Sequence, residues 1–283
     1  MSGKVPEFWD PQTGGIALVL NYLEENGNIT LPVHLAPQGS VFVMFSDKGS
    51  KSRHVVKIEK EMKSLFPIND DAGIHPPIEI KEIAGKPVAD VYQAGSYKLW
   101  WSDGTESSVK AAGISIEVLL APAWTVHFDS AWGAPGTMTL DQLKSWTSFA
   151  EEGIKYYSGK ATYENSFTIS KSELKGKKLI INLGQLREMA VVRINGHRFN
   201  LLWTPPFELD ITDYIVNGKN NLEIDVINLW PNRLIGDGKL PKSQRKTKTN
   251  IIKFDASGAE NYLRESGLIG PVTLNLTTRI NLK

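Results

Sequence analysis

The sequence predicts an all-β chain, a jelly-roll-like β-sandwich preceded by a smaller antiparallel β domain. Three observations carry this expectation. Strand signals, short runs rich in β-branched and aromatic residues bounded by Gly, Pro, Asn or Asp, recur roughly every 8 to 12 residues. Helical periodicity is nearly absent over the 283 residues. Two-residue turn signals such as Asn195-Gly196 and Asp103-Gly104 stand between alternating apolar and polar runs.

Taken in order, residues 1–48 read as closing strands of a larger β domain, with ITLPVHL and SVFVMF alternating or running apolar between turns at Asn26-Gly27 and Gln38-Gly39. Residues 49–121 read as a small antiparallel domain built from HVVKIEK, PPIEIKEI, YKLWW and SVKAAGISIEVLL. Within it YKLWW and SSVKAA face each other across Ser102-Asp103-Gly104 as a hairpin. Residues 122–283 read as the sandwich, opening on WTVHF. There TLDQLKSW is the one short helix candidate, with Thr139 as N-cap ahead of Leu140, Leu143 and Trp146. Strands follow at KATYENSFTI, KKLIINL, MAVVRI, RFNLLW, FELDI, NNLEIDVINLW and PVTLNLTTRI. Asn195-Gly196 is the strongest hairpin signal, because both central residues of a type I′ turn need positive φ. Consecutive hairpins closed by a return strand suit a jelly roll.

Composition narrows the function classes. Apolar residues make up 41% and charged residues 22%, the mixture of an ordinary globular protein. A net charge of +1 lacks the electrostatic footprint of a nucleic-acid or anionic-membrane binder, so neither partner is expected. There is no cysteine, hence no disulfide framework and no thiolate metal site. The N-terminus shows no secretory signal and the apolar runs are too short for a membrane helix. Because Phe8-Trp9-Asp10-Pro11 falls at once into a turn, the opening is expected to follow a preceding domain.

Catalytic signatures are missing. His34, His54, His75, His127 and His197 are scattered without metal-ligand spacing, so no metal site is expected. No nucleophile elbow, dinucleotide fingerprint or phosphate loop is present, Gly236-Asp237-Gly238-Lys239 lacking the rest of either glycine pattern. Glycosidic cleavage needs two opposed carboxylates. The pairs Glu24-Glu25, Asp70-Asp71 and Glu151-Glu152 are sequence neighbours that read as solvated turns, and no catalytic residue is assigned. The run KLPKSQRKTKTN, with Lys239, Lys242, Arg245, Lys246 and Lys248 and no acid, reads as a solvated loop, with a phosphate-contacting patch as the alternative.

Aromatic placement is more informative. Trp146, Tyr156, Tyr157, Trp203 and Trp230 stand beside polar or glycine-containing turns, where a ring can be half exposed. A sugar stacks its C–H face on such a ring while Asn, Arg and Asp bond its hydroxyls. The candidate carbohydrate-binding residues are Trp203, Trp230, Asn232, Arg233 and Asp237, against the alternative that the rings are core packing. In NLWPNRLIGD, Pro231 is expected to end the strand after Trp230, and Gly236 to let the chain reverse. The fork of Arg233 suits a carboxylate of its own domain, Glu188 or Asp237, or the oxygens of a sugar or uronate.

From Trp124 to Asp237 the motifs WTVHFDSAWGAP, LKSW, GIKYYSGKATYENSF, LGQLREMAVVRINGH, LLWTPPFELDIT and NLWPNRLIGD resemble the C-terminal region of glycoside hydrolase family 106 α-L-rhamnosidases. SGLIGPV, VPEFWDPQTGGI and LAPQGSVFVMF are similar to flanking segments of that family, while 49–110 matches loosely. The resemblance implies a secreted or periplasmic parent enzyme of polysaccharide degradation that cleaves terminal α-L-rhamnose with two barrel glutamates near a calcium ion. All of these lie ahead of the part represented here. What it carries onto this chain is a galactose-binding-like jelly roll of the kind found in family 2 glycosidases, with the LWTPPF and WPNRLIGD loops at one end. The implied partners are a plant-type rhamnose-containing glycan and the parent's catalytic domain. No cofactor is required, and a structural calcium is left open. Three readings follow: a non-catalytic carbohydrate-associated region, a part of an active rhamnosidase that shapes the active-site rim, and a purely structural sandwich.

Overall fold

The computed structural model describes residues 3–47, 53–67, 75–111, 117–120, 122–249 and 262–283. Within them the chain is nearly all β, arranged in antiparallel ladders. It divides into two compact units: Met1–Glu117 with Leu174–Ile180 and Asn275–Lys283, and Val118–Glu173 with Ile181–Leu274. The segments 1–48 and 49–117 therefore share one unit. No helix among the described residues is long and apolar enough to cross a membrane.

The first unit carries a three-stranded sheet, in the order Ile16–Leu18, Val5–Trp9, Phe42–Ser46. Beside it in sequence stands a four-stranded sheet ordered Glu106–Ala111, Gly95–Trp101, Val55–Lys60, Lys63–Phe66. The hairpin expected across Asp103-Gly104 is present, with Tyr97 opposite Val109 and Leu99 opposite Ser107. Asp103 Oδ1 accepts the Thr105 amide at 3.0 Å and Gly104 takes φ +82, so the turn chemistry is met locally. Along Gly95–Trp101 the side chains of Tyr97, Leu99 and Trp101 are buried while Ser96 and Lys98 are exposed. That period of two buries one face. These residues form one core with Val55, Ile58, Ile78, Ile80, Ala89 and Val91. The last two lie on Lys86–Val91, which pairs on one side with Ile78–Ile83 and on the other with Thr278 to Asn281 of the final strand.

The second unit is built on a six-stranded antiparallel sheet. Its order is Thr137–Leu140, Trp124–Phe128, Lys160–Ile169, Gly218–Ile227, Met189–Ile194, His197–Arg198. The registers align Val126, Tyr163, Ile224 and Val192 in one row across four strands, all fully buried. On the other face Thr162 meets Asp225, which also holds Arg193. One apolar and one polar face is what strict alternation requires of a half-covered sheet. The Asn195-Gly196 turn has φ +51 and φ +83 and joins Met189–Ile194 to His197–Arg198, as expected of a type I′ hairpin. Pairing then continues to Leu202, whose amide and carbonyl exchange bonds with Ala190 at 2.8 Å each.

TLDQLKSW does not form the expected helix. Thr137–Leu140 is a strand paired with Trp124 to His127, and only Trp146–Ser148 makes a single 3-10 turn, capped by the Ser145 hydroxyl. The sheet edge supplies a ladder that alternating TMTL fits, and Trp146 directs its amide to Ser266 O at 2.9 Å instead of to a preceding turn. Tertiary pairing outweighs a weak helical pattern here.

Candidate functional site

NLWPNRLIGD is a helix, not a corner. The ladder ends at Ile227, and Pro231–Gly238 forms the longer of two short α-helices among the described residues, with Pro231 at its start. Proline fits there because the first helical amides have no partner to lose. The strand is ended earlier by Asn228, whose amide group bonds Gly159 N and Tyr157 O at 2.9 Å each. Gly236 does not reverse the chain. A Cβ at Gly236 would stand 2.6 Å from Cβ of Tyr156 and 2.6 Å from Arg233 Nη2, so the glycine allows the helix to pack tightly.

The five predicted residues separate into two groups. Trp203 and Trp230 are 53% and 57% exposed. Asn232, Arg233 and Asp237 are buried and find their partners within the unit, although Arg233 Nε meets Asp237 as a close charge contact and not as an aligned hydrogen bond. Asn232 bonds Arg264 O at 2.7 Å and accepts Arg264 N at 2.9 Å, pinning the segment before Ser266. Arg233 Nε lies 3.0 Å from Asp237 Oδ1, one turn along the helix, so of its two foreseen carboxylate partners it takes Asp237 and not Glu188. Asp237 accepts the Lys246 amide at 3.2 Å and the Thr247 amide and hydroxyl at 2.7 and 2.5 Å. Burial alone would raise the Asp237 carboxyl, but the Thr247 and Lys246 donors and the Arg233 charge hold it below its usual range. The group thereby ties the loop after the helix back onto the helix.

The exposed rings share one end of the sheet. Leu202 pairs with Ala190, and Ala190 with Val226, so Trp203 and the Trp230 segment both leave the sheet at the end where Met189 begins. Trp230 stands edge-on to Trp132 with ring centres 5.8 Å apart. The residues flanking Trp230 in sequence line a small recess of about 10 Å³, room for roughly one water, together with Glu188, Asn228, Asn232, Arg264, Glu265 and Ser266. Glu265 is exposed and paired with Arg187 at 3.3 Å. The recess is too small to seat a sugar ring, so what can stack a pyranose face here is the exposed Trp230 indole, with the Glu265 and Arg264 side chains of the neighbouring segment exposed for its hydroxyls. Among the described residues no three His, Asp or Glu side chains cluster to hold a metal.

The other three aromatics are core. Trp146 and Tyr157 are fully buried and Tyr156 nearly so, which corrects the expectation of half-exposed faces. Trp146 Nε1 donates to the Tyr163 hydroxyl at 2.6 Å and its ring meets Phe128 and Tyr157 edge-on. Turn-flanking position exposes a ring only where no loop covers it, and the Ser266–Gly267 segment covers this one. Conversely Trp132, Glu188, Arg264 and Glu265 were not foreseen as site residues. They reach the Trp230 region through chain segments far apart in sequence, and nothing local to any of them signals it. Asp70-Asp71 lies outside the described residues.

Replacing Asp237 by Asn tests the tether. An amide offers one acceptor oxygen where the carboxylate uses both, and it turns an NH₂ toward donors, at a cost of about 1–3 kcal/mol. The loop carrying Lys242, Arg245 and Lys246 is then expected to be cut by trypsin about tenfold faster, since cleavage follows local opening. An unchanged cleavage rate rejects the tether.

No family model matches the sequence. Over 186 residues the chain is 38% identical to a "Putative beta-glucuronidase" of Formosa agariphila, a match covering 58% of this chain and 16% of that protein. The rhamnosidase from Novosphingobium sp. PP1Y superposes on 73% of this chain and 24% of its own length, with a TM-score of 0.52 and 29% identity. A beta-D-glucuronidase of Dictyoglomus thermophilum aligns more loosely, over 60% of this chain and 29% of its own, with a TM-score of 0.43 and 19% identity. The chain spans well under half the length of each. It is related to a part of larger glycoside hydrolases.

Proposed function

We propose that this chain is a non-catalytic, carbohydrate-associated region of a rhamnosidase-like hydrolase of glycoside hydrolase family 106, and that its jelly roll binds rhamnose-containing glycans beside the parent's catalytic domain. The observation that carries the reading is the pair of exposed indoles, Trp203 and Trp230, at one end of a sheet whose own strands bury Trp124, Phe128, Tyr163 and Phe167. The likeness to the rhamnosidase structure supports it. In this reading Asn232, Arg233 and Asp237 shape the binding surface by fixing the Trp230 helix and its flanking loops, and the exposed rings make the contact. The parent is secreted or periplasmic, where such polysaccharides are degraded, and this region needs no cofactor. The open surface, with Glu265 paired and exposed, favours binding over bond cleavage, which needs an acid shielded from water.

Replacing Trp230 by Ala is expected to weaken binding of rhamnose oligosaccharides about tenfold, the equivalent of ~1.4 kcal/mol of stacking. The melting temperature should hold, because the ring is more than half exposed. Calorimetric titration and circular dichroism measure the two. Binding that survives the loss of both Trp203 and Trp230 rejects the proposed surface, absence of binding by the unaltered chain rejects carbohydrate association, and hydrolysis of an aryl α-L-rhamnoside by the chain alone rejects the non-catalytic role.

A further inference from the structure

The loop that the carbohydrate reading leaves unused is the basic one. Between Lys239 and Lys248 there are five cations and no acid, in a chain whose net charge is +1. Lys242, Arg245, Lys246 and Lys248 are all exposed, and among the described residues none has an acidic partner. A solvated loop has no reason to be fixed, yet this one is. Asp237 binds the amides of Lys246 and Thr247, and Arg245 Nε donates to Leu240 O at 3.1 Å.

The tether sets one of these charges, Lys246, beside the aromatic surface. The Lys246 stem runs over Gly133, its Cε 3.6 Å from where a Cβ on that glycine would lie. Gly133 follows Trp132, which is in edge contact with Trp230. Gly153 packs against Gly133 and brings Glu151 and Glu152 into the neighbourhood, but neither pairs with the loop. Glu151 and Glu152 therefore leave the Lys242–Lys248 cations without an acidic partner among the described residues, and Asp237, which binds the loop's backbone, is shared with Arg233.

We infer that the Trp132–Trp230 pair and the Lys242–Lys248 loop form one surface for an anionic saccharide, the ring stacking a pyranose while the cations take a carboxylate or sulfate on the same or the adjoining sugar. The inference rests on the carbohydrate reading and names the ligand class of that surface. A purely electrostatic site for nucleic acid has no use for the exposed ring, and it would be at odds with a near-neutral chain.

The test uses the full chain with four saccharide probes, polygalacturonate for carboxylate, carrageenan for sulfate, and neutral rhamnose and agarose oligosaccharides as uncharged controls, and with polyphosphate and DNA as non-saccharide polyanions. A combined Lys242→Gln, Arg245→Gln, Lys246→Gln and Lys248→Gln variant keeps the Asp237 tether, which uses backbone amides and Thr247, and gives up only the Arg245 bond to Leu240 O. It is expected to lose at least about tenfold in affinity for one or both charged polymers, with neutral saccharides unchanged, and the wild-type affinity should fall as salt rises past about 0.1 M. Which charged polymer responds tells carboxylate from sulfate. Trp230→Ala should weaken charged and neutral ligands alike. Neutral saccharides bound as well as charged ones, with the four-fold variant unaffected, overturns the inference and leaves the carbohydrate reading standing. No saccharide bound at all overturns both. Equal binding of polyphosphate or DNA, independent of Trp230, overturns the saccharide assignment.

Discussion

Asp90→Asn is expected to cost the first unit about 3–5 kcal/mol at neutral pH, the range seen when one partner of a buried ion cluster is removed. Asp90 is fully buried on Lys86–Val91. Arg279 grips both of its oxygens, Nε to Oδ1 at 2.7 Å and Nη2 to Oδ2 at 3.0 Å, while Lys81 and Lys178 approach Oδ2 at 3.0 and 3.6 Å. The register creates the cluster: Asp90 stands opposite Glu79 on one neighbouring strand and Arg279 on the other. Glu79 takes a share of Lys81 at 2.9 Å, and the Tyr92 hydroxyl links Lys178 to Glu79. With Asn at this position three cations face one another with half their counter-charge gone, and Lys178 is itself almost buried.

The same cluster dictates an acid response. Burial would raise the Asp90 carboxyl, but the Arg279 bonds and the charges of Lys81 and Lys178 win and lower it from 3.8 to about 2. A carboxyl that titrates lower when folded stabilises the fold above its unfolded value and ceases to do so as pH falls through the folded one. Asp90 therefore contributes stability on the order of 2 kcal/mol near neutrality, lost between roughly pH 4 and pH 2. Hydrogen exchange of the Val88 to Val91 amides, followed at both ends of that window, reads it out. Asp90→Asn should open these amides at pH 7 and flatten their acid dependence, and unchanged exchange would mean that the cluster is idle.

The sheets were legible because their signals are local. Tyr97, Leu99 and Trp101 alternate inward as the sequence alternates, and the Asp103-Gly104 and Asn195-Gly196 turns have the backbone angles their residues favour. What escaped is set by distant partners. Leu174–Ile180 and Asn275–Lys283 join the first unit across nearly the whole chain, and no residue in either announces it. Asp90 reads as an ordinary strand charge until Arg279, 189 positions away, is placed opposite it. Pro231 is consistent both with a strand stop and with a first helical residue, and eight residues are too few for periodicity to decide. Trp146 and Trp230 have similar sequence surroundings; one is fully buried and the other 57% exposed because a later segment closes over the first.

That segment is the subject of the other large effect. Gly267→Ala is expected to destabilise the second unit by about 2–5 kcal/mol, from two sources that act together. Gly267 takes φ +92, a conformation in which a Cβ costs about 1–2 kcal/mol. The added methyl would also lie 2.4 Å from Trp146 Nε1 and 2.6 Å from Cε2. That ring has nowhere to retreat, since its Nε1 is bound to the Tyr163 hydroxyl at 2.6 Å, its backbone amide to Ser266 O at 2.9 Å, and Phe128 and Tyr157 press on it edge-on. Overpacking of such a site adds about 1–3 kcal/mol. Gly218 separates the two sources, because it has φ +94 and nothing within 4 Å of its missing Cβ. Gly218→Ala should show the backbone cost alone, and chemical denaturation followed by Trp fluorescence should place Gly267→Ala well below it. Equal losses for the two variants would show that Trp146 yields and that its hydrogen bond to Tyr163 does not hold it in place.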